Sequence, residues 1–123
     1  MLSDSSGFGR YTYPSNHPLT KGHFPNNPVM MGVMQWMSVA DTCCVFAQRQ
    51  HLSGSVHTSC NAVIVNQNNI VIAEFKGVEC THFIDNDNHQ HFSDVIKTNR
   101  IVFRSTVIPE DTIYIWATDI IVS

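Results

Sequence analysis

Residues 22–41, GHFPNNPVMMGVMQWMSVAD, join a proline-rich polar turn to a long apolar segment. From residue 31 to about residue 50 the apolar side chains fall on nearly every side, a pattern typical of a helix that is buried on most of its surface. The connection before it is long, and connections of this length are usually functional or disordered. The stretch predicts a buried helix entered through a turn that carries one histidine, His23.

Downstream of this helix the chain turns to β-branched and aromatic runs. They are NAVIV, IVIAEFKGVECTHF, VIKTNRIVFRSTVI and TIYIWATDIIV, separated by the turn compositions NQNN, DNDNHQ and PED. A short strand is also predicted upstream, at residues 11–13. One helix followed by a meander of long antiparallel strands predicts an α+β fold with the helix on one sheet face. Residues 1–123 are expected to form one domain.

Composition and charge exclude several classes of function. The chain has 43% hydrophobic residues, 14% charged residues and a formal net charge of −3, which predicts one modest core. Its seven lysines and arginines are scattered without a basic block, so nucleic acid is not an expected partner. The N-terminus lacks a basic and apolar leader, and no apolar run approaches the roughly 18 residues of a membrane span. We therefore expect a cytoplasmic protein.

The segment CTHFIDNDNHQH contains six potential metal ligands, but their spacing does not match a known metal motif. The six are Cys80, His82, Asp85, Asp87, His89 and His91. They form neither paired CxxC knuckles nor a helical HExxH arrangement. As a calcium loop, the segment has Gln90 where glycine is needed and Ile96 where an acidic residue is needed. We expect a solvated hairpin tip, no metal site and no cofactor.

The predicted helix carries other polar and nucleophilic groups. Its polar residues are expected to share one narrow face. They are Gln35, Ser38, Asp41 and Thr42. Ser38 lies in no GxSxG context, which disfavours a serine nucleophile.

The four cysteines are too few and too irregular for a disulfide scaffold, and we expect buried thiols. They are Cys43, Cys44, Cys60 and Cys80.

His23 is the strongest candidate for chemistry. Pro25 and Pro28 stiffen the turn that carries it, and Gly32, without a side chain, lets a ligand approach the start of the helix. A helix N-terminus offers N–H groups and a positive dipole end to a carbonyl oxygen that gains negative charge. A base beside such an amide suits proton abstraction α to a thioester. These residues leave two readings open, a catalytic base or an exposed turn histidine.

Two segments of the chain resemble a known family. Residues 22–35, GHFPNNPVMMGVMQ, are similar to the GHFPGNPVMPGVLQ segment of the FabZ/FabA family, the (3R)-hydroxyacyl-acyl-carrier-protein dehydratases of bacterial fatty-acid synthesis. Residues 103–113, FRSTVIPEDTI, are similar to the FRRPVVPGDQL segment on a late strand of these enzymes, with Glu110 in place of the usual glycine. The intervening residues 51–97 carry no family motif that we recognise.

The resemblance implies the hotdog fold, a curved antiparallel sheet wrapped around the helix that starts near Gly32. It also implies a homodimer with active sites at the dimer interface, and an acyl thioester substrate carried by an acyl carrier protein or by coenzyme A. His23 would be the base that takes the C2 proton, and the Gly32 N–H would polarise the thioester carbonyl. The residues expected to shape the acyl tunnel and hold its loop are Phe24, Pro25, Pro28 and Val29.

The chain departs from the family at the catalytic acid. The family's glutamate or aspartate lies fourteen residues after the histidine, where this chain has Met37. A thioether cannot donate a proton, so Met37 is expected to line the substrate site without acting as the acid. Asp41, one helical turn further on, is the remaining candidate. It lies about 6 Å beyond along the helix, so it would act through a water or a shifted dimer register.

Two other departures concern the scaffold. The family has a proline where this chain has Met31, which loosens the start of the helix. Family members also have a helix and a strand before the segment that corresponds to Tyr11, and this chain has little room for them. These departures predict a shortened or reordered hotdog.

Three classes of function follow. The first is an acyl-thioester enzyme that eliminates water from a 3-hydroxyacyl thioester, with His23 as base. The second, suggested by Met37, is a catalytically impaired acyl-thioester-binding protein or a thioesterase-like hotdog. The third is a structural subunit of a hetero-oligomer.

Overall fold

The structure, a computed structural model, describes residues 5–13 and 32–123. This part of the chain contains one α-helix and six strands. Their bounds are β1 (Gly7–Thr12), α1 (Gly32–Arg49), β2 (Gly54–Asn66), β3 (Val71–Asp85), β4 (Gln90–Lys97), β5 (Arg100–Phe103) and β6 (Thr112–Val122).

The six strands form one antiparallel sheet. Its order is β1-β6-β2-β3-β4, with β5 also paired to β3. β1 and β4 lie at the two ends of this order, and both contact α1. Because one helix touches both ends of the sheet, the sheet curls around it into a half-barrel. The predicted α+β fold, with the helix on one sheet face, is confirmed, and the arrangement is compatible with a hotdog-like fold.

The helix α1 begins and ends close to the predicted positions 31 and 50. Five of its side chains, Val39, Ala40, Cys43, Cys44 and Ala47, are fully buried. At its C-terminus His51 adopts a left-handed conformation with a φ of 61°. The N–H of Leu52 then reaches back to the carbonyl of Ala47 at 3.3 Å. This hydrogen bond and the left-handed residue are the marks of a Schellman motif, which stops the helix.

The core lies between α1 and the concave face of the sheet. Alternate strand positions point inward. The largest aromatic and isoleucine side chains that are fully or almost fully buried are Tyr13, Phe75, Ile64, Ile72, Ile84, Ile113 and Ile115. Burial of each of the large aliphatic or aromatic side chains contributes about 1.5–3 kcal/mol. A smaller cluster at the C-terminal end of α1 joins the helix to Val56 and Ile84.

Strand β1 begins at residue 7, earlier than the predicted strand at residues 11–13. Its glycines lower the β propensity of the sequence, but the packing requires at least one of them. A Cβ at Gly9 would lie 2.5 Å from the Oγ1 atom of Thr42 on α1. The strand is held by six consecutive residue pairs with β6, and this pairing outweighs the weak local preference.

The run VIKTNRIVFRSTVI, predicted as one strand, forms two strands, β4 and β5, which both pair with β3. The break lies beside Gly77, which has a φ of 63°. The Gly77 N–H donates to the Oδ1 atom of Asn61 at 3.0 Å. Asn99 packs over this glycine, and its N–H donates to the carbonyl of Lys76 at 3.0 Å. A bulge in β3, formed through long-range contacts, therefore divides the run.

The predicted turn segments connect the strands as expected. NQNN joins β2 to β3, DNDNHQ joins β3 to β4, and PED lies between β5 and β6. Within the described residues, no helix is both long enough and apolar enough to cross a membrane.

Candidate functional site

Five predicted site residues lie outside the residues that the structure describes. They are His23, Phe24, Pro25, Pro28 and Val29. Their roles stay predictions. The described part of the predicted site consists of Gly32, Met37 and Asp41, all on α1.

Gly32, the first residue of α1, packs against the ring of Phe103 at the end of β5. A Cβ on residue 32 would lie 2.8 Å from the Cζ atom of that ring. Phe103 also stands edge-on to the buried ring of Phe75, with the ring centroids 6.2 Å apart and an interplanar angle of 87°. Gly32 and Phe103 belong to the two segments that resemble the dehydratase family. The fold therefore brings these two distant segments into contact.

The start of α1 can hydrogen-bond an acceptor. The first N–H groups of a helix have no acceptor within the helix, and they lie at the positive end of its dipole. The first turn of α1 contains no acidic residue that would reduce this positive potential. On the side where a Cβ would lie, Gly32 is covered by the ring of Phe103, so the absent side chain makes room for that ring. This end of the helix is suited to a carbonyl oxygen that gains negative charge during a reaction.

The structure does not bring Asp41 to Gly32 within one chain. Asp41 follows Gly32 by nine residues, which places it about 13 Å further along the helix and about 180° around it. Asp41 is exposed, whereas Met37, between them, is partly buried. An acid at position 41 would therefore serve a ligand at Gly32 through an intermediary or from a second copy of the chain.

Asp41 lies in a groove between α1 and β1, with a volume of about 200 Å³. The lining residues are Phe8, Gly9, Arg10, Tyr11, Ser38, Asp41, Thr42, Val45 and Ile115. Two hydroxyls in this groove are held by the helix backbone. Ser38 Oγ donates to the carbonyl of Gln35 at 2.5 Å, and Thr42 Oγ1 donates to the carbonyl of Ser38 at 2.9 Å. These bonds are consistent with the prediction that Ser38 is not a nucleophile.

The carboxyl group of Asp41 has a pKa above its usual value. Although the residue as a whole is exposed, the groove removes part of the water around the carboxylate, and this desolvation raises the pKa. The positive charge of His91 acts in the opposite direction. The protonated carboxyl group is the form that donates a proton.

The predicted polar face of α1 is only partly correct. Ser38, Asp41 and Thr42 line the groove, whereas Gln35 is buried, with 3% of its surface exposed. The side-chain oxygen of Gln35 has no hydrogen-bond partner in the structure's described part.

His82 on β3 is a buried titratable group, and it belongs both to the predicted strand IVIAEFKGVECTHF and to the segment predicted as a solvated tip. Its Nε2 atom lies 2.8 Å from Thr58 Oγ1, and its Nδ1 atom lies 2.6 Å from Ser93 Oγ. A neutral imidazole donates from one nitrogen and accepts at the other, and a hydroxyl can serve either, so both contacts can be satisfied. Burial lowers the pKa of His82, and the positive charges of His57 and His91 lower it further.

The segment CTHFIDNDNHQH is therefore not a solvated tip along its whole length. Its first half belongs to β3, where strand alternation places Cys80, His82 and Ile84 on the buried face. The exposed tip is confined to residues 86–91. The alternation of these three residues along the strand already predicted their burial, but the polar residues that follow favoured an exposed tip. Among the described residues, no group of three or more His, Cys, Asp or Glu side chains is placed to hold a metal ion.

The four cysteines are free and buried, which confirms the prediction of buried thiols. Cys43 Sγ lies 3.3 Å from Cys60 Sγ, and this contact, together with burial, holds the pKa of Cys43 far above its usual value. Burial is the main cause that raises the pKa of Cys80 to about 12, and burial also raises the pKa of Cys44. Thiols with such high pKa values are poor nucleophiles.

A groove of about 450 Å³ lies on the outer sheet face. Its lining residues are Ser55, Val56, His57, Thr81, His82, Phe83, Phe92 and Ser123. Thr81 follows Ala73, the strand partner of Phe103, by eight residues along β3, which corresponds to about 25 Å. This groove is therefore distant from Gly32, and we place the candidate site at the start of α1, where both family-like segments meet.

Comparison with family models, with curated proteins and with solved structures gives no match for this chain. The resemblance therefore depends on the two segments themselves and on their contact in the fold.

Proposed function

We propose that this chain is a hotdog-fold protein that eliminates water from a 3-hydroxyacyl thioester, in the manner of the (3R)-hydroxyacyl-acyl-carrier-protein dehydratases. The observation that carries the proposal is the contact between Gly32 and Phe103. It joins the two segments that resemble this family, although they are far apart in the sequence. The half-barrel sheet curled around α1 is the scaffold that a hotdog protein requires.

In the proposed reaction, His23 takes the proton from C2 of the substrate. The Gly32 N–H donates a hydrogen bond to the thioester carbonyl oxygen, which gains negative charge as the proton leaves. The electron pair of the C2–H bond forms the C2=C3 double bond, the C3–O bond breaks, and the hydroxyl group leaves as water after it receives a proton. A positioned base contributes about 10²–10⁴-fold to the rate, and one oxyanion donor contributes about 2.7–4 kcal/mol.

The leaving hydroxyl group needs a proton donor other than the residue at the family's acid position. Met37 occupies the family's acid position and cannot donate a proton. Asp41 can, and its raised pKa favours the protonated form. Its distance of about 13 Å from Gly32 along α1 is too long for one bridging water, so in this proposal it acts on the site of a second subunit. We therefore propose a homodimer in which Asp41 is the acid, while Phe24, Pro25, Pro28, Val29 and Met37 shape the acyl site.

The test is hydration of a 2-enoyl thioester, the reverse reaction, with acyl-carrier-protein and coenzyme A substrates compared. The substitution His23→Asn is expected to lower the rate by about 10²–10⁴-fold. His89→Asn is the matched control, because His89 lies in the exposed tip and its left-handed backbone conformation is one that asparagine tolerates. If the wild type hydrates the substrate at a measurable rate and His23→Asn has the same rate, the proposal is refuted.

A second candidate is an acyl-thioester-binding protein without turnover, and Met37 is the observation that favours it. Here the wild-type protein binds the thioester but does not hydrate it, and Met37→Glu restores dehydratase activity by returning the acid. Val45→Glu is the control, since it adds the same carboxylate at an exposed position about 12 Å further along α1. A wild-type protein as fast as ordinary dehydratases would exclude this candidate.

A further inference from the structure

Two buried thiols meet where the middle of α1 packs on the central strand β2. The Sγ atoms of Cys43 on α1 and Cys60 on β2 lie 3.3 Å apart, although the two residues are 17 positions apart in the sequence. Cys43 is fully buried and Cys60 is 3% exposed. Because an S–S bond is about 2.05 Å long, the two sulfur atoms need to approach each other by only about 1.2 Å. Small rotations of the two side chains supply such an approach.

The strand β2 is irregular at this point. Relative to β3, its register shifts between Cys60 and Ala62, and relative to β6 it shifts between Ser59 and Asn61. Such a bulge disrupts the hydrogen bonds of the ladder locally. Cys60 therefore lies in the part of β2 whose backbone adjusts and opens more readily than the regular ladder on either side.

The other two cysteines are placed differently. Cys80 belongs to the same core cluster as Cys43 and Cys60, whereas Cys44 belongs to the smaller cluster at the C-terminal end of α1. Cys80 is therefore the competing partner for a disulfide. Cys44 provides a control on the same helix.

We propose that Cys43 and Cys60 form a reversible disulfide when the protein meets hydrogen peroxide, and that this bond fastens α1 to β2 and stabilises the fold. Cys60, the more exposed thiol, attacks one oxygen of the peroxide. The O–O bond breaks, the leaving hydroxide takes up the thiol proton as water, and Cys60 becomes a sulfenic acid. Cys43 then attacks this sulfur, so that the S–S bond forms and the S–O bond breaks. The hydroxyl leaves with the proton of Cys43 as a second water, and the two thiols have given two electrons to the peroxide.

The surroundings of the pair make this oxidation slow but directed. The contact with Cys60 and burial hold the pKa of Cys43 far above its usual value, so Cys43 is a poor first nucleophile. In the second step, however, Cys43 is already in contact with the sulfur that it attacks, and no encounter is needed.

The bond acts on stability and not on the candidate site. Cys43 follows Gly32 by eleven residues, which corresponds to about 16 Å along α1. The cross-link closes a loop that contains the end of α1 and its connection to β2, and it removes conformational freedom from the unfolded chain. The inference is therefore independent of the proposed function.

The test oxidises the whole chain with hydrogen peroxide and then counts and maps the thiols. After denaturation in an alkylating reagent, the number of free thiols is expected to fall from four to two. Peptide mapping by mass spectrometry should place the bond between Cys43 and Cys60, and dithiothreitol should restore all the thiols. The urea midpoint of the oxidised protein should exceed that of the reduced protein by about 1–2 M.

Three variants accompany the wild type. Cys43→Ala and Cys60→Ala should each abolish both the bond and the shift of the urea midpoint. Cys44→Ala should keep both, because it removes a buried thiol next to Cys43 that lies outside the pair. The mapping is made on the wild type, so its result stands even where a variant does not fold. Four free thiols after oxidation, a bond to Cys80, or an unchanged midpoint in the oxidised protein overturns the inference.

Discussion

The start of α1 and its second half meet the sheet in different ways. At the start, Gly32 has no side chain, and the ring of Phe103 fills the space that a Cβ would need. In the second half, fully buried thiols pack towards a layer in which His82 lies between two hydroxyl groups from neighbouring strands. The first region ends in backbone N–H groups that have no acceptor within the helix. The second uses its polar groups to hold the fold together.

This difference indicates that binding and stability are separated along one helix. Substitutions at the start of α1 should change ligand recognition more than folding, and substitutions in the layer around His82 should do the reverse. Three experiments test the part of this separation that concerns stability.

The largest effect is expected for His82→Ala. The substitution leaves a cavity and removes the partner of the Thr58 and Ser93 hydroxyls, which should lower the free energy of unfolding by about 4 kcal/mol. Urea unfolding measures this loss. His89→Asn, in the exposed tip, is the control and should stay within about 0.5 kcal/mol of the wild type. A loss below about 1 kcal/mol for His82→Ala would mean that the layer does not stabilise the fold.

A smaller effect is expected for Gly32→Ala. The new methyl group meets the ring of Phe103, and because that ring is half exposed and can shift, the cost should be near the lower end for overpacking, about 1 kcal/mol. In a Phe103→Leu background the clash is relieved, and the better helix propensity of alanine should make the same substitution neutral or stabilising. A double-mutant cycle measured by urea unfolding tests this change of sign. Additive effects of the two substitutions would mean that residue 32 and residue 103 do not clash.

The third effect depends on pH and is the smallest. The pKa of His82 is lowered in the folded protein, first by burial and then by the charges of His57 and His91. The unfolded chain therefore binds the proton more readily, and stability contributed by neutral His82 is lost as the pH falls below about 6.5 towards the folded pKa. Because other groups of the chain also titrate in this range, the wild type must be compared with a matched variant.

The matched variant is His82→Gln, which retains hydrogen-bonding capacity but does not titrate. Between about pH 7.5 and pH 5.5, the wild type should lose more unfolding free energy than this variant. Parallel curves for the two proteins would show that His82 does not contribute to the pH dependence.

Local patterns in the sequence were sufficient to predict the main elements. The apolar residues of α1 recur on every side, and the strands are rich in β-branched residues between clear turn compositions, so both are visible in short windows. The buried cysteines followed from the same reasoning. The hydroxyl contacts of His82 were not predictable, because they require the registers of three strands. Its burial was visible in strand alternation, but the polar tip that follows made the whole segment resemble an exposed loop.

The remaining features depend on contacts between distant residues. The division of one predicted strand into β4 and β5 results from Gly77 and its interactions with Asn61 and Asn99, and no window of the sequence contains all three. In the candidate site, Gly32 was predicted as a point of ligand approach, but its contact with Phe103 required the fold. Asp41 was correctly placed one turn beyond Met37, and its groove beside β1 was not foreseen.

The shortness of β5 gives the candidate site a natural reporter. This strand has four residues, pairs with β3 over the same length, and places Phe103 directly on Gly32. Elements with few pairs open locally more often than long central strands, so their amide hydrogens exchange with solvent sooner. A ligand seated at the start of α1 would press on Phe103 and slow exchange along β5, with little change in the centre of β2. Deuterium uptake by these four amides therefore reads occupancy of the site even when no reaction takes place.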